Sequence, residues 1–268
     1  MKVAGRTIAV TGGGNGIGRE LVLELLDRGA RVAALDRSVE ALARTAELAG
    51  DRAEHLSTHT VDITDRAAVA ELPVAIIAEH GQVDGLVNCA GVIQPFVRFY
   101  ELDREAMERV MDVNFWGVVN TTEAFLPHLC QRPAAHLVNV SSMGGFLPVP
   151  GQTVYGASKA AVRLLTEGLA AELTETPINV TVVFPGAIET DITVNSGVAA
   201  PGARASEAAP KHTMTSAPEA ARIIIDAVER DAYRVTVGKD ATLMDRMSRW
   251  MPVRSARMIY ARMKDLLD

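Results

Sequence analysis

A chain of 268 residues with 48% hydrophobic content has room for one large α/β domain or two small ones, and apolar surface enough for a sizeable core. Its net charge of −6 and its lack of an unbroken basic run argue against nucleic acid as a partner. Two distant cysteines, Cys89 and Cys130, and six scattered histidines give no metal spacing, so no metal is expected and the thiols read as reduced.

The residues from Met1 run straight into a first strand at 6–10, with no leader pattern before it. No apolar stretch reaches the roughly 18 residues that cross a bilayer, so a cytoplasmic location is expected. Next comes Thr11-Gly12-Gly13-Gly14-Asn15-Gly16-Ile17-Gly18, followed by a helical pattern through Leu21, Leu25 and Leu26. A strand, a glycine turn and a helix start make a phosphate cradle, because free N–H groups and a bare backbone favour an anion at close range. The spacing, glycines at 12, 16 and 18, differs from the Gly-x-Gly-x-x-Gly dinucleotide pattern, and Arg19-Glu20 exclude a P-loop.

A second strand at 31–35 ends at Asp36, about eighteen residues past the last glycine, where an acid can accept both hydroxyls of an adenosine ribose. That favours NAD. Arg37 beside it could instead pair with a 2′-phosphate, which keeps NADP possible. Asp36 also reads as a helix N-cap, with Ser38 competing for that role. Further strands are expected at 55–61, 84–88, 135–141, 178–184 and 234–237, alternating with helical stretches. The pattern predicts a Rossmann-like α/β fold: a doubly wound parallel sheet of about seven strands in three layers. One domain over residues 1–240 and a helical extension over 241–268 follow.

Tyr155 and Lys159 are four residues apart, so they share one helix face, and Ser142 lies thirteen residues upstream of the tyrosine. A phenol with a pKa of about 10 is a weak base at neutral pH. A cation about 4 Å away at an effective dielectric of 20 is worth roughly 4 kcal/mol. This predicts a Tyr155 pKa lowered by up to about three units, suited to proton exchange with an alcohol or carbonyl.

Together these motifs resemble those of the short-chain dehydrogenase/reductase family. Thr11 to Gly18 match its Thr-Gly-x3-Gly-x-Gly turn, and Asn88-Cys89-Ala90-Gly91 resemble its Asn-Asn-Ala-Gly motif, with Cys89 in place of asparagine. Asn114 resembles the family's helix asparagine, Asp62-Ile63 its adenine-contacting pair, and Pro185-Gly186 with Thr190 its Pro-Gly-x3-Thr segment. The resemblance covers about residues 5 to 240. It implies a nicotinamide cofactor and hydride transfer with a secondary alcohol or ketone. Tyr155 would then be general acid and base, Ser142 would hold the substrate oxygen, and Lys159 would serve the tyrosine and the nicotinamide ribose. Asn114 is left with two readings of equal weight, a water holder near Lys159 or a helix-kink residue. Gly12, Asn15, Gly16, Ile17, Gly18, Asp36, Arg37, Asp62, Ile63, Asn88, Ala90, Gly91, Pro185, Gly186, Ile188 and Thr190 would line the cofactor, with Tyr155 and Lys159. The alternatives are an NADPH-preferring ketoreductase and a nucleotide-binding regulator without catalysis. A homodimer or homotetramer is implied.

Pocket candidates are Ile93, Gln94, Met143, Phe146, Val149, Gln152, Ile192 and Val194, mostly apolar, which suggests an apolar alcohol or carbonyl compound. Residues 191–217, rich in Ala, Gly, Pro, Ser and Thr, read as a lid. In the extension, methionines and Trp250 recur at near-helical spacing among arginines, and Pro252 divides it into two helices. Packing or a subunit contact is favoured there over an anionic membrane surface.

Overall fold

The central strands are buried along almost their whole length, as strands covered on both faces must be. In the protein's structure, a computed structural model that describes residues 1–198 and 214–267, they are β1 (Thr7–Thr11), β2 (Arg31–Asp36), β3 (Leu56–Thr60), β4 (Gly85–Asn88), β5 (Ala135–Val140), β6 (Ile178–Pro185) and, last in the sheet, β9 (Arg234–Val237). All pair in parallel, in the order β3-β2-β1-β4-β5-β6-β9. Two short strands, β7 (Ile188–Glu189) and β8 (Thr215–Ser216), pair separately. The order reverses between β1 and β4, and such a switch point opens a crevice at the carboxyl ends of the strands.

Helices α1 (Gly16–Asp27), α2 (Val39–Ala49), α3 (Arg66–His80), α4 (Arg104–Met111), α5 (Gly117–Leu129), α6 (Thr153–Glu172), α7 (Ile192–Asn195) and α8 (Ala217–Glu229) fill the connections. One core layer joins Leu21 and Leu25 of α1 and Ile224 and Ile225 of α8 to Val10, Val32 and Val183. The opposite layer joins Ile76 of α3 and Phe125 and Leu129 of α5 to Ala9, Leu86 and Leu137. At the amino ends of the strands, the buried Asp84 carboxylate accepts from Arg132 Nε at 2.9 Å, Arg6 Nη1 at 3.3 Å and Thr7 N–H at 3.0 Å, which pins β4 to its neighbour β1.

Two further helices, α9 (Lys239–Trp250) and α10 (Pro252–Met263), meet at Met251, whose non-helical backbone and the following Pro252 break the run as expected. Met244 and Ile259 pack on Leu147, with Met143, Phe146, Met247, Met258 and Met263 around them. Among the described residues, no helix is long and apolar enough to cross a membrane.

His136 is a buried residue of β5. Nε2 lies 2.8 Å from Thr181 Oγ1, while Nδ1 has no hydrogen-bond partner. Burial pushes its pKa down to about 4, against 6.5 for a free imidazole, helped by the amino terminus and opposed by Asp231. The unfolded chain therefore binds the extra proton first as pH falls, so stability is lost between pH 6.5 and 4. At about 1.4 kcal/mol per pKa unit the loss is on the order of 3 kcal/mol. Denaturant melts of His136→Gln from pH 7 to 4.5 should show a flatter decline than the wild type.

Candidate active site

The glycine turn works by leaving out atoms. A Cβ on Gly18 would overlap the Gly12 carbonyl, and one on Gly12 would come 2.9 Å from Ala90 Cα, so strand β1, helix α1 and the segment after β4 close on one another only without side chains. Gly12 also has a φ of +71°, in the left-handed region. Asn15 precedes α1 and makes no side-chain cap bond, so the first amides of the helix keep their donors for a ligand. Arg19, which the sequence reading missed, braces the turn from behind through the Gly14 carbonyl, Asn15 Oδ1 at 3.0 Å and Thr45 Oγ1 at 3.3 Å.

At the end of β2, Asp36 accepts from Gly14 N–H at 3.1 Å through Oδ2 and from Ser38 N–H at 3.0 Å through Oδ1. The N-cap of α2 belongs to Ser38, whose hydroxyl accepts from Ala41 N–H. Asp36 is thus held at the cleft edge, with the exposed Arg37 beside it. The cleft, about 560 Å³, runs from Asp36, Arg37, Asp62 and Ile63 past Gly12, Asn15, Gly16, Ile17 and Gly18, and on along Ala90, Gly91, Pro185, Gly186, Ile188 and Thr190 to Ser142, Tyr155 and Lys159. Asp240, unnoticed in the sequence, holds the Pro185-Gly186 corner by accepting from Ala187 N–H at 2.8 Å. Long, glycine-floored and carrying a ribose-type acid at one end, this cradle fits a dinucleotide.

Ser142 and Tyr155 meet through their hydroxyls, and that bond favours the phenolate. Burial outweighs it and raises the Tyr155 pKa, the opposite of the depression expected from Lys159. Lys159 is buried as well: it is 4% exposed, its Nζ donates to the Val140 carbonyl at 3.0 Å, and desolvation brings its pKa down to about 8, slightly opposed by Cys89. With its ammonium engaged by that carbonyl, the tyrosine's own burial decides the direction.

Asn114 occupies a π-helical turn, Asp112–Trp116, between α4 and α5. Its Oδ1 accepts from Val92 N–H at 2.8 Å, and its amide donates to Val92 O at 2.9 Å and Ser158 Oγ at 3.0 Å. Both donors are spent on protein, which favours the kink reading. Asn88, expected against the cofactor, turns away: its side chain bridges Asn139 at 2.9 Å and Thr121 at 2.7 Å, tying β4 and β5 to α5. Cys89, Ala90 and Gly91 line the cleft instead.

Of the pocket candidates, Ile93, Val149, Gln152 and Ile192 line the cleft. Four need correction. Met143 and Phe146 face helices α9 and α10, where apolar packing claims them. Val194 is 73% exposed on the outer side of α7. Gln94 is fully buried and serves the backbone: Oε1 accepts from Val154 N–H at 2.9 Å and Tyr155 N–H at 3.0 Å, and Nε2 donates to Gly151 O at 2.9 Å. It caps α6 from outside the helix, in place of a local N-cap. Phe96 and Met263 line the cleft and were not foreseen.

Most of the expected lid, residues 199–213, lies outside the described residues. Its first part is anchored, since buried Ser196 accepts from Ile93 N–H at 3.0 Å and its carbonyl accepts from Arg109 at 2.6 Å.

A sequence profile described as short chain dehydrogenase matches residues 6–199. The chain is 36% identical over 262 residues to a putative oxidoreductase, SadH, of Mycobacterium tuberculosis, covering 96% of this chain and 95% of that protein. A short chain dehydrogenase/reductase from Burkholderia phymatum, solved with NAD, superposes with a TM-score of 0.85 at 25% identity, over 93% of this chain and 95% of that one. Another from Burkholderia cenocepacia, solved with NADP, gives 0.79 at 28% identity, over 98% and 99%.

Burying Lys159 carries a stability cost that has a pH signature. Its folded pKa of about 8 lies below 10.5, so the unfolded chain binds more protons between these values and stability rises with pH from about 8. Above pH 9 the buried Cys89 thiol, pushed up to about 12, works the other way, because the unfolded chain loses that proton first. Lys159→Met should raise Tm at pH 7, by the equivalent of about 1–3 kcal/mol, and remove the rise between pH 8 and 9. Thermal melts of the two proteins at pH 7, 8 and 9 check both.

Proposed function

The chain belongs to the short-chain dehydrogenase family, and from that premise we propose that it is an NAD-dependent oxidoreductase acting on apolar secondary alcohols or ketones. The observation that carries this reading is the meeting of Ser142, Tyr155 and Lys159 in one cleft with the glycine turn and Asp36. A nicotinamide dinucleotide supplies hydride chemistry when bound. The open amides of α1 bind its pyrophosphate, and Asp36 accepts hydrogen bonds from the adenosine ribose. Asp62 and Ile63 would flank the adenine, and Thr190 would bind the carboxamide, with Ile188 lining the same end of the cleft.

At the reacting carbon, the Ser142 hydroxyl donates to the substrate oxygen and stabilises charge developing there. Tyr155 passes a proton to that oxygen in reduction and removes one in oxidation. Burial keeps the phenol protonated at neutral pH, which favours the reductive direction there. Lys159, which here donates to Val140 O, would hold the nicotinamide ribose and serve the phenol with the dinucleotide bound. Ile93, Phe96, Val149, Ile192 and Met263 surround the remainder of the substrate with carbon, so bulky apolar ketones fit better than sugars. A second reading, preference for NADPH, is favoured by one observation: Arg37 stands exposed on the cleft rim beside Asp36.

Tyr155→Phe should lower kcat by at least about a thousandfold and leave dinucleotide affinity within a few-fold, as read by nicotinamide absorbance and by titration. Turnover within tenfold of wild type would overturn the assignment. Asp36→Ala should raise NADP use relative to NAD by ten-fold or more, about 1.4 kcal/mol, in the ratio of kcat/KM values. An unchanged ratio would show that Asp36 does not set the choice.

A further inference from the structure

The last two helices leave an unusual surface. Residues 246–264 hold six Arg or Lys and no Asp or Glu, in a chain whose net charge is −6. Arg249 reaches Asp245 at 3.3 Å. Arg246, Arg254, Arg257, Arg262 and Lys264 have no carboxylate partner among the described residues. Large apolar side chains stand exposed among them: Trp250 at 86%, Val253 at 63%, Tyr260 at 56% and Leu243 at 55%.

The two kinds of residue share faces. On α10, Val253, Arg257, Tyr260 and Lys264 follow at helical spacing, and Val253, Arg257 and Tyr260 line one open groove with Phe146, Pro148 and Pro252. On α9, Leu243, Arg246 and Trp250 form the exposed stripe opposite the buried Ala241 and Met244. A solvated face would not carry a tryptophan this exposed. An ordinary packing face would not gather this much unpaired positive charge.

We propose that the α9–α10 face docks on an anionic lipid bilayer, with Trp250, Val253 and Tyr260 entering the headgroup layer and the arginines engaging lipid phosphates and carboxylates. Charge selects this occupant over a second copy of the chain, whose matching face would present the same cations. Docking also orients the cleft: Met263, one turn beyond Tyr260, lines it. An apolar alcohol or ketone dissolved in the bilayer would then reach the cleft without crossing water. That last step rests on the proposed function; the docking itself does not.

The experiment is co-sedimentation of the full chain with phosphatidylcholine vesicles, with and without 30% phosphatidylglycerol, while tryptophan emission is followed. The expected result is at least tenfold stronger binding to the anionic vesicles, a blue shift that Trp250→Phe removes, and release at high salt. Arg254→Glu with Arg257→Glu should reduce that binding at least tenfold and leave Tm and dinucleotide affinity unchanged. Equal binding to both vesicles, or none, overturns the proposal. So does a change of solution mass in these variants without loss of vesicle binding, which would make the face a subunit contact. Loss of nicotinamide turnover with vesicle binding intact would overturn the proposed function and leave the docking standing.

Discussion

One buried ammonium constrains this molecule more than any other group. Lys159 sits almost out of solvent, and the surrounding chain is built to tolerate it. The Val140 carbonyl accepts from its ammonium, and Ser141 Oγ donates to the Lys159 carbonyl at 2.7 Å. A Cβ on Gly91 would crowd the charge, lying 3.2 Å from both Lys159 Nζ and Asn114 Oδ1. Gly145 is bare for a related reason: its Cβ would come 2.9 Å from the Lys159 carbonyl oxygen. The ends of β4 and β5, the π-helical turn and the start of α6 are therefore mutually fixed by the need to house a single charge. Desolvation of that charge works against folding, so the site holds a strained electrostatic state that a bound partner can relieve.

The cap on α6 shows how the fold transmits position. Helix α6 has a glutamine rather than a serine, threonine or aspartate at its N-cap, and Gln152 there makes no local cap bond. Gln94 arrives from the loop after β4 and takes the Val154 and Tyr155 amides, while Gln152 Nε2 donates back to the Gln94 carbonyl at 2.9 Å. Tyr155 is in this way indexed to β4 as well as to its own helix. The cleft wall at Ile93 and the Tyr155 backbone are thereby tied through one side chain, that of Gln94.

What the sequence made legible follows from range. The strands showed as apolar runs, the glycine turn as spacing, and Ser142, Tyr155 and Lys159 as types in order, because each is local or carried by a pattern already complete in the chain. Asp36 was legible as an acid, but not as an acceptor fixed by Gly14 and Ser38. Gln94, Met143 and Phe146 were misread as pocket walls because sequence adjacency to a motif says nothing about which side of a loop faces inward. Met263, Ser196 and Asp240 gave no local signal, because their partners lie far along the chain; Arg19 bonds Gly14 and Asn15 one turn back, yet its type does not mark it as a brace. The tyrosine's raised pKa was missed for a related reason. Spacing gave the distance to a cation and left out the burial that opposes it.

Five of the chain's ten methionines gather where α9 and α10 meet the loop that follows Ser142: Met143, Met244, Met247, Met258 and Met263. Thioethers are soft, unbranched and easily repacked, which suits a joint that must seal a cleft and still yield. They are also the side chains most readily turned polar by peroxide. A sulfoxide oxygen placed in this cluster would find carbon on every side and would push the helices off the loop. Oxidation of these methionines would therefore loosen the joint and leave the sheet itself untouched.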